Sequence, residues 1–403
     1  MMGSNIAAKT AARMRILVIS HTYIVGLNCD KLRQMAALLP DGRVVAGVPR
    51  RWRPGGVQAQ AIQSTPLDEG QFQRVPLGHI SQNHQGLLCF GKGLIPLLRQ
   101  LRPHIIQVEQ GTRSLALAQL ILLNRLLGLQ AKLVCFTWWN LPYQLRPPAQ
   151  WLEAFNLRHC HGAIAGNQAG ASILQTHGFT GHLTVLPQLG VDEHRFRPQP
   201  QPQLAASLGI LPDTFVVGYV GRFVPEKGLL TLVQALAQCP DLPWRLLLLG
   251  RGPFRAQVDQ EAIAHHIQHR LIWIDSVPHA DVPRYLNLMQ ALVLPSETAK
   301  DAKTLTATGW QEQFGHVLIE AMACGIPVIG SDSGEIPHVI GDAGLIFPEG
   351  SVVELSDRLQ QLMQSPTLAH TLAQQGRHRV LQHYTQRALA QQQLAFYTHL
   401  MTP

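Results

Sequence analysis

Two carboxylates and two cations, each close to a glycine turn, carry the chemistry legible in this chain. Glu312 and Glu320 stand eight positions apart in the run Glu312 to Pro337, EQFGHVLIEAMACGIPVIGSDSGEIP. Gly315 leaves the backbone bare where a helix should begin, and Val317 to Ala323 are good helix formers. The first-turn N–H groups and the positive dipole end then face the preceding loop, where an anion belongs. Gly325 and Pro327 end that helix, and Val328 to Gly330 reads as a short buried strand. At this spacing the two carboxylates cannot meet on one face; they are placed to grip two parts of one ligand. The cations lie in Phe215 to Lys227, FVVGYVGRFVPEK, an apolar strand with Gly218 and Gly221, then Arg222, then Lys227 and Gly228 before the helical run LLTLVQALAQ. Cations beside a glycine-rich turn suit a diphosphate. A third segment, WRLLLLGRGP (Trp244 to Pro253), is a buried strand entering a turn at Gly250.

A lone glycine pair is weak evidence, but the three segments share an order and spacing that resembles glycosyltransferase family 4, retaining enzymes of the GT-B fold that use nucleotide sugars. Glu312 and Glu320 match its E-x7-E signature. The resemblance implies that Arg222 and Lys227 neutralise the leaving diphosphate, where fixed charge in a dry cleft counts most; ordinary surface cations are the plain alternative. It implies that Glu320 accepts the ribose hydroxyls, and that Glu312 accepts hydroxyls of the donor sugar or supports its oxocarbenium-like centre. Helix-start carboxylates that only pair with the dipole are their plain alternative. Phe314, Gly315 and His316 would offer backbone N–H groups to sugar and phosphate, and Gly221 and Gly250 would line the nucleotide side. No D-x-D pair occurs in the chain, so the expectation is metal-independent transfer from a UDP- or GDP-sugar, without a cofactor.

These residues need a scaffold of alternating strands and helices. Arg15 to Ile19, Arg43 to Val48, His104 to Val108, Lys132 to Phe136 and Gly162 to Ala165 read as short apolar strands, separated by helical runs such as Cys29 to Leu39 and Ser114 to Leu127. A parallel sheet with helices on both faces follows. The segment PQLGVDEHRFRPQPQPQ reads as a linker, and the pattern restarts at Phe215. The expected organisation is a disordered leader (1–13), an acceptor-binding Rossmann-like domain (14–190), a nucleotide-sugar-binding Rossmann-like domain (191–375) and a C-terminal helix (376–403). In the GT-B fold the two domains face across a cleft and the last helix crosses back to the first.

Charge divides the same way. Residues 1–190 carry a net charge of +12 and residues 191–403 a net charge of −4, so the basic half should face an anion. The tract Pro49 to Pro54, PRRWRP, sets Trp52 among Arg50, Arg51 and Arg53, a mixture that favours a membrane headgroup layer, with a solvated basic face as the plain alternative. No nucleic-acid module is legible. There is no run of eighteen apolar residues, and six cysteines without a C-x2-C pair suit reduced core thiols in the cytosol.

On the acceptor side, Gly26 closes the turn SHTYIVG after the first strand, where the family places a backbone loop near the donor phosphate. Glu109 ends the strand IIQVE at a carboxyl edge where ligands bind, either orienting an acceptor hydroxyl or pairing with Arg113. Trp138 and Asn140, in TWWNL, replace a histidine common in the family, which puts histidine-assisted catalysis in doubt. The polar stretch ETAKDAKTLTATGWQ (297–311) is extra to the family's usual spacing; a surface loop is expected, with a lid containing Lys300, Lys303 and Trp310 as the alternative. HTYIVGLNCDKLRQ, PRRWRPGGVQ and FTWWNL resemble a subset associated with bacterial exopolysaccharide assembly. The resulting expectation is a cytoplasmic, peripherally membrane-bound hexosyltransferase acting on a lipid-linked or polysaccharide glycan. Alternatives are a nucleotide-sugar epimerase of the same architecture or a non-catalytic nucleotide-sugar scaffold.

Overall fold

A computed structural model of the chain describes residues 13–53, 60–81, 83–303 and 308–402. The expected leader, apart from Arg13, lies outside them, as do Pro54 of the arginine tract and residues 304–307 of the extra segment. Two compact units are present: residues 1–189 with 386–403, and residues 190–385.

The first unit holds an eight-stranded sheet. Its strands in chain order are β1 (Arg15–Ile19), β2 (Arg43–Pro49), β3 (Leu67–Glu69), β4 (Phe72–Leu77), β5 (Ile105–Val108), β6 (Lys132–Thr137), β7 (Gly162–Ala165) and β8 (His182–Val185). They lie in the order β8-β7-β6-β5-β1-β2-β4-β3, all parallel except the β3 hairpin partner of β4. The central strands are apolar on both faces because helices cover both. Leu17, Ile19, Val45, Ile106 and Val108 point to one side, with Leu117, Leu120 and Ile121 of the helix α2 (Leu115–Leu126). Ile16, Val18, Val44 and Ala46 point to the other. They meet Leu32 and Met35 of α1 (Asp30–Ala37) and Phe396, Tyr397 and Leu400 of the closing helix Gln386–Met401. The strand order reverses between β5 and β1, which opens a crevice at their carboxyl ends.

The second unit repeats the plan with six parallel strands: β9 (Phe215–Arg222), β10 (Trp244–Arg251), β11 (Leu271–Ile274), β12 (Ala291–Leu294), β15 (Val328–Ser331) and β16 (Leu345–Phe347), ordered β11-β10-β9-β12-β15-β16. Its switch point lies between β9 and β12. Between β12 and β15 the chain forms an antiparallel hairpin, β13 (Ala299–Lys303) with β14 (Thr308–Trp310). The surface loop expected there is thus a β-hairpin, with Ala299 opposite Trp310 and Lys303 opposite Thr308.

The closing segment differs from the single helix expected over 376–403. A helix of the second unit runs from Pro366 to His383 and ends at Tyr384. Val191 donates to the Tyr384 carbonyl at 2.9 Å and bridges in parallel to Thr385, so that carbonyl is taken by Val191 where the helix ends. The helix Gln386–Met401 then belongs to the first unit. None of the described helices is long and apolar enough to cross a membrane.

Candidate active site

The β9–β12 switch point gathers the predicted cations and one of the two carboxylates. β9 continues through Phe223 into a short 3-10 turn, Pro225–Lys227, and Gly228 (φ 64°) turns the chain into α3 (Leu229–Ala237). A Cβ on Gly228 would lie 1.8 Å from the Pro295 carbonyl oxygen, so only glycine lets this turn seat against the end of β12. Glu297 N then donates to the Glu226 carbonyl at 2.9 Å, and Thr231 Oγ1 donates to the Glu297 carboxylate. The seating aims the Lys227 ammonium at Glu312 Oε2, to which it donates a hydrogen bond. Ser296 Oγ donates to the same oxygen at 2.9 Å. Both members of the pair are nearly buried, Lys227 at 13% and Glu312 at 10% side-chain exposure. The indole of Trp310 covers the ammonium at 4.7 Å from its ring centroid.

Glu312 is held from behind as well. Its carbonyl accepts from Glu335 N at 3.1 Å, and Gly334 (φ 56°) approaches so closely that a Cβ there would sit 2.0 Å from that carbonyl oxygen. Gly315 caps the helix α4 (His316–Ala323) at φ 84°, the left-handed conformation that its sequence position called for. The buried Phe314 ring packs on His316 at 4.8 Å and on Tyr384 at 5.7 Å. Glu320, on α4, pairs elsewhere; its Oε1 accepts from His279 Nε2 at 2.9 Å.

That bond raises the His279 pKa above the usual imidazole range, against the opposing effect of burial. Arg222 is half exposed and lies 3.8 Å from Glu226. Gly221 and Gly250 are register partners on β9 and β10. A Cβ on Gly250 would meet the Gly221 carbonyl oxygen at 1.9 Å, so this glycine is required by strand contact before any ligand is considered. Tyr219, buried beneath, donates to the Arg222 carbonyl at 2.8 Å; burial, reinforced by Glu312, pushes its phenol pKa well up and keeps it a neutral donor.

In the first unit the sequence expectations divide. Gly26 begins a 3-10 turn and its carbonyl accepts from Arg33 Nη1 at 3.1 Å. Glu109 is buried at 3% exposure and does not pair with Arg113. It accepts from Tyr23 OH at 3.0 Å, Gln107 Nε2 at 2.6 Å and Gln188 Nε2 at 2.7 Å, which holds it in the interior. Arg113 lies over the Tyr143 and Trp139 rings. Trp138 donates to Gln188 Oε1 at 3.0 Å and packs on the backbone at Gly166, while Asn140 is buried. Trp52 is a correction: it is 4% exposed, with His21 and His79 tilted against its ring at centroid distances of 5.2 and 6.1 Å, so the ring expected at a headgroup layer belongs to the core. Burial there lowers the His21 pKa to about 4. Arg50, Arg51 and Arg53 remain exposed.

Sequence reasoning missed His279 and Ser296. A single histidine in a loop and a serine after proline carry no spacing signal; only the fold brings them to Glu320 and Glu312. All six cysteines are free thiols, and among the described residues no three His, Cys, Asp or Glu side chains converge as a metal site.

Residues 200–379 match the family described as Glycosyl transferases group 1. It is 28% identical over 210 residues to the N-acetyl-alpha-D-glucosaminyl L-malate synthase of Bacillus anthracis, covering 51% of each chain. It is 31% identical over 199 residues to the D-inositol 3-phosphate glycosyltransferase of Rhodococcus erythropolis, covering 47% of this chain and 42% of the relative. The chain spans about half the length of the curated relatives it matches. The fold is similar to that of Anabaena HepE solved in complex with UDP, at 18% identity and a TM-score of 0.68, over 96% of this chain and 100% of the other. The two doubly wound units are those of the GT-B fold.

Proposed function

We propose that this protein is a retaining glycosyltransferase that moves a sugar from a nucleotide-diphosphate sugar to a hydroxyl of a lipid-linked or polysaccharide glycan. The observation that carries the reading is the Lys227–Glu312 pair at the β9–β12 switch point, where doubly wound sheets bind their ligands. In this reading Lys227 and Arg222 receive the negative charge of the diphosphate as the anomeric C–O bond breaks. Glu312 holds sugar hydroxyls and faces the developing positive charge, and Glu320 accepts the ribose hydroxyls once His279 gives way. The α4 N–H groups after Gly315 supply further donors to phosphate. UDP in the similar HepE structure supports a uridine donor. The exposed Arg50, Arg51 and Arg53 in a half of net charge +12 support an acceptor presented at an anionic membrane surface, on its cytoplasmic face.

The test is a thermal-shift panel of UDP, GDP and ADP with their sugars, since a ligand of the folded state raises its apparent stability, followed by product analysis with the sugar that binds. A glycoside of unchanged anomeric configuration is the expected product. Free sugar, an epimerised nucleotide sugar or an inverted linkage would each overturn the reading.

A further inference from the structure

We propose that Trp310, carried on the extra hairpin, is a positioning residue for Lys227 and thereby sets the affinity for the nucleoside diphosphate; the inference rests on the functional reading above. The hairpin is fixed where Trp310 stands. Ala299 and Trp310 are cross-strand partners. The preceding Thr298 is tied through its N and Oγ1 to Glu349 Oε2 at 2.9 and 2.7 Å, and Gln311 Nε2 donates to Thr298 Oγ1 at 3.3 Å. The turn before them, Pro295 to Glu297, is seated on Gly228. One short stretch thus delivers three groups around a single ammonium: the Trp310 face, the Glu312 carboxylate and, through the same oxygen, Ser296.

The two partners of Lys227 act differently when a diphosphate arrives. The Glu312 carboxylate occupies an ammonium N–H that a phosphate oxygen also needs, so that bond competes with the ligand. The indole attracts the charge through its quadrupole and excludes water without accepting a directed hydrogen bond. Trp310 therefore holds the lysine, whose flexible stem would otherwise sample many rotamers, while one N–H passes from carboxylate to phosphate. Its effect runs through Lys227 and vanishes when the ammonium is gone.

The experiment is calorimetric titration of the full chain with UDP and GDP, on wild type, Trp310→Phe, Trp310→Leu, Lys227→Met and the double variant Trp310→Leu with Lys227→Met. Trp310→Leu, which keeps an apolar group but no ring, should weaken binding about three- to tenfold, and Trp310→Phe should stay within about twofold of wild type. In the Lys227→Met background the leucine change should add nothing, the coupling that a double-mutant cycle isolates. Wild-type affinity in Trp310→Leu, or an equal loss with and without Lys227, would overturn the proposal alone. Binding of neither nucleotide by the wild type would overturn it together with the functional reading.

Discussion

Lys227 and Arg222 are neighbours on the same turn, yet they are held by very different surroundings. Lys227 is nearly buried between a carboxylate and an indole, whereas Arg222 is half exposed with a carboxylate at 3.8 Å. Replacing either by Ala should lower turnover by roughly two to three powers of ten, the scale of losing one preorganised charge donor. Their stabilities should separate. Lys227→Ala deprives the near-buried Glu312 of its ammonium and should cost about 1–3 kcal/mol, while Arg222→Ala should cost less than about 1 kcal/mol because solvent screens its pair. Steady-state kinetics with urea denaturation checks both; equal stability loss in the two variants would contradict the geometry. His279 supplies a pH test. Its pKa is raised in the folded state by Glu320, so the pair's contribution is fully present below the unfolded imidazole value, about 6.5, and is lost as pH rises through the folded value. With the imidazole half exposed, the contribution is small, on the order of 0.5 kcal/mol. His279→Gln should therefore lower Tm relative to wild type by more at pH 5.5 than at pH 8.5. A Tm difference that grows with pH would refute the assignment.

Among elements, the turn from β9 into α3 controls the site because its backbone, more than its side chains, fits the end of β12. Gly228 and Gly350 both have positive φ, 64° and 75°, but a Cβ at 228 would strike the Pro295 carbonyl whereas one at 350 meets nothing within 4 Å. Gly350→Ala should lose only the left-handed penalty, about 1–2 kcal/mol. Gly228→Ala should lose at least about 1 kcal/mol more and also weaken UDP binding, since Lys227 moves with the turn. Equal losses in chemical denaturation would mean that the contact between turn and strand is not what the glycine serves. The hairpin shows the limit of pattern reading at this scale. Its arms, Ala299–Lys303 and Thr308–Trp310, lack an apolar alternation, so nothing in the local sequence distinguished paired strands from a polar loop. What pairs them is the anchoring of Thr298 on Glu349, fifty-one residues away in sequence.

For the whole molecule, the charge asymmetry of the sequence becomes a surface property only where the arginines stay outside. The exposed Arg50, Arg51 and Arg53 predict binding to vesicles containing anionic lipid, weakening with salt because the attraction decays within a Debye length. Changing the three to Ala should cut that binding by up to roughly two powers of ten at low salt, at about 1 kcal/mol per arginine, with UDP affinity unchanged. Equal vesicle binding in sedimentation by wild type and triple variant would remove the tract as a docking element. Changing Trp52 instead should act on stability, since the ring is in the core. The sequence by itself determined the two doubly wound sheets, because buried parallel strands need continuous apolar runs and helices need theirs at a different period. It also determined Gly315 and Gly228 as helix entries and the cations and carboxylates near them. Only the tertiary structure decided which charge meets which. Lys227 found Glu312, Glu320 found His279, and Glu109 turned inward to Tyr23, Gln107 and Gln188. These pairings span up to 86 residues, and local periodicity reports which face a side chain lies on without reporting what the rest of the chain brings to that face.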